Sequence, residues 1–201
     1  WLAAAGAVLL VVLPLALWLL RGHAARARAQ RMPRAADAAS GAAERSWRVG
    51  QVLRDPRFYA MLPVVLFTPF AVTGLFFHQA ALVDAKGWTM PLFANAFVAF
   101  AGAAIIGALV SGALVDRFGA RRLLLGVLAP AALGLTVLAL AGAPWTVWVF
   151  MPAMGLTAGG TLTLQGALWA EVYGTGHLGA VRSMVYALMV FATAASPVLF
   201  G

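Results

Sequence analysis

Residues Gly107 to Arg122, GALVSGALVDRFGARR, close one long apolar segment and begin the next. Between the two lie Asp116, Arg117, Arg121 and Arg122, with Gly119 placed for a turn. In a soluble protein this would be a helix–turn–helix corner carrying a solvated charge run. Here the flanks, Ala99–Val115 and Leu123–Leu140, hold no charged side chain, and similar segments recur along the chain. The stretch therefore reads as a tight water-side hairpin between two membrane-spanning helices, and it fixes which helix ends face the same way.

Composition supports that reading. The chain has 201 residues, of which 63% are hydrophobic and 10% charged, with mean hydropathy +0.92. Soluble domains carry about 25% charged residues, and so few charges could not cover a soluble surface. The net charge of +8 sits in short stretches between apolar runs, which marks topology rather than a nucleic-acid face. Cysteine is absent, so neither a disulfide framework nor a thiolate metal site is available. Trp1 already lies inside an apolar segment, with no initiator Met and no positive leader. The expectation is a chain cut from something longer, whose first segment is not a signal peptide.

Taken in order, Leu2–Leu20 is a first span containing Pro14, and residues 21–57 form the one long polar region. Its Ala-, Arg- and Gly-rich part, Gly22 to Ala43, has too little apolar pattern to pack and reads as a linker. Trp47, Val49, Val52 and Leu53 are placed for the apolar side of a short interfacial helix, and Asp55-Pro56 makes a break before the next span. Phe58–Val83 is a second span that Pro63, Pro69 and Gly74 should bend or locally break, followed by a short turn, Asp84 to Trp88. Leu92–Val115 is the third, with Ala99, Ala103, Gly107 and Ser111 forming a face of small residues suited to close helix approach. Leu123–Ala141, Trp145–Ala170 and Ala180–Phe200 complete six spans. Residues 58–201 are thus expected to form one transmembrane bundle.

Charge placement tests this partition independently. The polar stretches after the first, third and fifth spans hold nine, three and one basic residues, thirteen of the 14 in the chain; those after the second and fourth hold only Lys86. Such alternation is what the positive-inside rule requires of a multi-pass inner-membrane protein with the 21–57 region in the cytoplasm.

The hairpin also carries a resemblance. Gly112-Ala-Leu-Val-Asp116-Arg117-Phe-Gly119-Ala-Arg121-Arg122 resembles the G-x-x-x-D-R/K-x-G-x-R/K-R/K signature of the major facilitator superfamily, and the bacterial ion-coupled carriers in particular. The stretch Leu53–Tyr59 is similar to the start of the seventh helix in that family, and Tyr173–Arg182 to the turn between its tenth and eleventh. A basic linker upstream of the motif, with one span between, corresponds to helices six to eleven of twelve. The resemblance implies an all-α, partial transporter fold of about six transmembrane helices. Residues 1–20 would be the last helix of the N-terminal half, 21–57 the cytoplasmic linker and 58–201 the C-terminal half-bundle lacking its last helix. It further implies alternating access of a small solute, coupled to protons or Na+, with the N-terminal half as the missing partner.

Individual residues then acquire expected roles. The hairpin residues Gly112, Asp116, Arg117, Gly119, Arg121 and Arg122 would act as a cytoplasmic gate, Asp116 either meeting a neighbouring arginine or capping the following helix. Glu171 and Arg182 flank the last polar turn and are placed for a second latch. His78, Gln79, Asn95 and Gln165 are the polar groups available to a solute path, though His78 fits an interfacial position equally and Asn95 fits simple interhelical bonding. Enzymatic function is not expected: the three histidines, 23, 78 and 177, cannot converge with acids at one depth. No GxxxxGK[ST] loop is present, and neither cofactor nor metal is called for. A non-transporting membrane sensor or scaffold remains the alternative.

Overall fold

The computed structural model describes residues 47–200. The Leu2–Leu20 span and the Gly22–Ala43 linker lie outside the described residues. Those described form α1 (Val49–Val52), α2 (Pro56–Phe77), α3 (Gln79–Lys86), α4 (Met90–Phe118), α5 (Ala120–Leu123), α6 (Ala129–Leu140), α7 (Val147–Tyr173) and α8 (Leu178–Phe200), with 3-10 turns at Gly126–Leu128 and Pro144–Thr146. Among the described residues there is no strand. Pro56–Phe77, Met90–Phe118, Pro144–Tyr173 and Leu178–Leu199 are each long and apolar enough to cross a membrane, and Gly126–Leu140 is a shorter apolar stretch.

Local chemistry sets the helix starts. The Asp55 carboxylate accepts the Arg57 N–H at 2.9 Å and caps α2, while Pro56 occupies a first-turn position where its missing N–H costs nothing. Thr89 caps α4 in the same way, accepting from the Leu92 N–H at 3.4 Å.

Helix α7 is the centre, packing against α2, α4, α5, α6 and α8. It buries 61% of its apolar window, whereas α4 and α8 each bury 11%. The outward faces of those two helices carry Val98, Ile105, Leu109, Val190 and Phe191, all exposed. In water such faces would drive association; in a bilayer they meet acyl chains.

The α4–α7 seam is built on glycine. A Cβ at Gly159 would stand 1.8 Å from the Ala104 carbonyl oxygen, and one at Gly107 2.3 Å from that of Leu156. The two backbones are therefore in contact, and of the small-residue face expected from Ala99, Ala103, Gly107 and Ser111 the last three meet α7 here.

Two buried clusters stack along the bundle. One joins Val52, Phe58, Ala120, Leu124, Trp169, Tyr173 and Val181; the other joins Val83, Trp88, Phe93, Ala131, Val147 and Phe150. Arg57, Arg121 and Arg182 adjoin members of the first cluster in sequence, and Lys86 lies between Val83 and Trp88 of the second. The arginine-bearing ends are thus gathered at one end of the bundle and Lys86 at the other, as the charge alternation requires.

Several elements differ from the sequence-based expectation. The second span does not break at a proline: Pro63 and Pro69 lie inside α2, and the helix is interrupted at His78, with φ −100 and ψ 15. What reads as a turn from Asp84 is the end of α3, which closes on Gly87 in the left-handed region at φ 63. The fourth span is articulated, passing from α5 through the 3-10 turn to α6. There the Thr157 hydroxyl on α7 accepts the Ala131 N–H at 3.0 Å, so a neighbour satisfies backbone next to Pro130. Helix α1 is a single turn folded onto the base of the bundle. Val52 is fully buried, and the Trp47 N–H donates to the Tyr173 carbonyl at 3.1 Å with its ring edge-on to the tyrosine at 5.5 Å.

Candidate gate and solute path

Helix α4 ends where Gly119 takes φ 82, a conformation that costs glycine nothing and a side-chain-bearing residue about 1 kcal/mol or more. The turn is seated on α7. Glu171 Oε2 accepts the Ala120 N–H at 2.6 Å, and its Oε1 lies 3.2 Å from where a Cβ at Gly119 would stand. The following helix thus receives its N-terminal carboxylate from Glu171, fifty-one residues away in sequence, rather than from Asp116. Such a charge-assisted bond contributes about 1.5–3 kcal/mol, less where water competes, and Glu171 is exposed.

Asp116, Arg121 and Arg122 are exposed at this same end, and the Arg117 guanidinium lies 5.4 Å from the Phe118 ring centroid, a cation–π distance. Gly112 has room for a Cβ, its nearest neighbour being Thr163 Cγ2 at 3.8 Å; close approach on α4 is the business of Gly107. Arg182 is turned to α7, where its Nη2 donates to the Gly166 carbonyl. The two residues flanking the last turn are therefore directed to different backbone groups, Glu171 to the hairpin and Arg182 to the body of α7.

The polar residues within the spans divide by what they touch. His78, at the joint between α2 and α3, has Nε2 3.0 Å from the Pro197 carbonyl; a carbonyl only accepts, so this nitrogen carries the proton. Gln79 is half-buried beside it, and Asn95 is on the exposed side of α4 next to buried Ala96. Gln165 is 6% exposed and its Nε2 reaches the Val65 carbonyl at 3.5 Å. The reason lies four residues on: Pro69 has no N–H to give that carbonyl. One turn away, the Thr68 and Thr161 hydroxyls pair at 3.1 Å, joining α2 to α7 again.

In the sequence Lys86 enters only as a topology marker, with no partner to read. Its ammonium donates to the Leu138 and Ala141 carbonyls at 2.6 and 3.4 Å, closing the C-terminus of α6 from α3. Near it, an apolar cavity of about 520 Å³ lies between α2, α3, α6 and α7, lined by Phe67, Phe70, Leu75, Leu135 and Phe150 with His78 at its edge. The only periodicity-free hint in the sequence was a lone lysine one residue before a glycine.

Long apolar helices, gathered arginine ends, a charged hairpin and interrupted spans define a multi-pass membrane protein. The chain belongs to the Major Facilitator Superfamily, whose sequence profile matches residues 1–200. It is a membrane transporter, and its surroundings are the lipid bilayer and a small solute. No curated protein and no solved structure matches it.

Proposed function

We propose that the chain is helices six to eleven of a secondary active transporter that moves a small solute by alternating access, with the free energy supplied by a proton or Na+ gradient. In this reading it resides in a bacterial inner membrane, the 21–57 linker is cytoplasmic, and an N-terminal half completes the central path. The hairpin from Gly112 to Arg122 is the cytoplasmic gate. The observation that carries this reading is the Glu171 bond to the Ala120 N–H. It ties the hairpin to α7 by a charged contact at the water edge, where desolvation is cheap and the contact breaks reversibly. About 1.4 kcal/mol is enough to shift a two-state ratio tenfold, so one such bond suffices to bias a rocking motion.

The test is uptake by the full-length protein in proteoliposomes with an imposed ion gradient. Asp116→Asn and Glu171→Gln should each lower uptake several-fold at equal membrane abundance, and should raise maleimide labelling of cysteines introduced at the arginine-bearing end. Unchanged uptake together with unchanged labelling would remove the gate from the mechanism. A wild-type protein that binds a solute without moving it would favour a sensor.

A further inference from the structure

Helices α7 and α8 enclose between them a small polar pocket that the gate does not use. Gln165 and Trp169 stand four residues apart on α7, and Arg182 and Tyr186 four apart on α8, so each pair occupies one stripe of its helix. The cavity they share with Val185 is about 70 Å³, the room of roughly two waters at about 30 Å³ each. Trp169 is 1% exposed and forms its floor, while Tyr186 is 53% exposed and stands at the mouth, where Leu162 and Gly166 are also exposed.

Arg182 is the one charged residue of this lining. Its bond to the Gly166 carbonyl uses one N–H of the five on a guanidinium and leaves donors over. Glu171 on α7 has its carboxylate on the Ala120 N–H and is not among the residues that line this pocket. A guanidinium with a tyrosine hydroxyl one turn away, above an indole floor, recognises a planar anionic group through paired donors. The volume admits a carboxylate and not a whole metabolite, so the remainder of a ligand must extend out of the pocket.

We propose that the Arg182–Tyr186 pocket is the anion-recognising subsite of the solute path, and that the solute is a small organic acid held there by its carboxylate. This rests on the transporter reading and gives it a substrate class. Arg182 holds the carboxylate, Tyr186 donates a further hydrogen bond, and Trp169 and Val185 exclude water from beneath it.

The experiment uses the full-length protein in nanodiscs of phosphatidylcholine alone, with acetate, lactate, succinate and benzoate as probes. Tryptophan fluorescence and melting temperature are the readouts. At least one acid should bind saturably. Arg182→Ala should abolish binding, Arg182→Lys should weaken it at least tenfold because the planar fork is lost, and Tyr186→Phe should weaken it a few-fold with the fold intact. The same acid should lose its fluorescence signal in Trp169→Phe while still shifting the melt. The proposal is overturned if none of the four binds, or if binding survives Arg182→Ala. It is equally overturned if phosphatidylglycerol, and no free acid, stabilises in an Arg182-dependent manner, since the pocket then belongs to a lipid headgroup. Gradient-driven uptake of a cationic or neutral solute that is indifferent to Arg182→Ala would sink this subsite and leave the transporter reading standing. Failure of all uptake would remove that reading instead.

Discussion

The α4–α7 seam and the contacts of α2 with α7 and α8 solve one packing problem in opposite ways. Along α4 and α7 the backbones touch through Gly107, Gly155 and Gly159, with little side chain between them. Around α2 the helices are joined by polar side chains reaching across to hydroxyls and carbonyls. Thr68 meets Thr161, Gln165 reaches Val65, Ser196 donates to Phe70 at 2.6 Å, and His78 donates to Pro197. Backbone-on-backbone packing has no slack, because any displacement forfeits van der Waals contact along the whole line. Hydrogen bonds to carbonyls exchange one at a time, and proline leaves carbonyls in need of them. One seam is built to stay closed; the other is built from separable parts.

The largest expected effect comes from wedging the closed seam. Gly159→Leu should prevent recovery of folded protein, since its Cβ would overlap the Ala104 carbonyl and overpacking on this scale costs well above about 3 kcal/mol. Gly102→Leu on the same α4, where nothing lies within 4 Å, should melt within a few degrees of wild type. Monodispersity and thermal melts in detergent compare the two directly.

Next is the hairpin. Glu171→Gln keeps a carbonyl acceptor for Ala120 but loses the charge, and should lower stability by about 1 kcal/mol. Gly119→Ala should cost a similar amount through its φ of 82. At the articulated contacts, Thr68→Val should cost about 1 kcal/mol by stranding the Thr161 hydroxyl, and the double change Thr68→Val with Thr161→Val should recover most of it. A double-mutant cycle reads that coupling, which should be absent if the two seams were alike. The smallest effect is expected for Lys86→Met, about 0.3–1 kcal/mol, since α6 loses a cation at its C-terminus but water can take over its carbonyls; the melt of this variant should become less salt-dependent.

The legible part of this molecule is what repeats. Apolar runs long enough to cross a membrane, the Asp55-Pro56 break, the small-residue face through Ala103 and Gly107, and the alternation of arginines each follow from local chemistry or from a period of 3.6 residues. The interruption at His78 was not legible, because Pro63 and Pro69 nearby are the stronger local signals, yet their lost bonds are tolerated within α2. The partners of Glu171, Arg182, Gln165 and Lys86 were hidden for a different reason. Each meets a backbone group of another helix, and a backbone carbonyl or N–H carries no residue identity to read. The same holds for Gly119: the motif marked the turn, and only the structure shows which carboxylate sits against it.

The central claim, that the arginine-bearing helix ends share one face of the membrane, is tested most directly by cysteine labelling. These 201 residues contain no cysteine, so single Arg122→Cys, His177→Cys, Asp84→Cys and Gly142→Cys variants of the full-length protein, with any cysteine elsewhere replaced by serine, report one position each. An impermeant maleimide should label 122 and 177 only in inside-out vesicles, and 84 and 142 only in intact spheroplasts. Labelling of 122 and 177 from opposite sides would contradict the account.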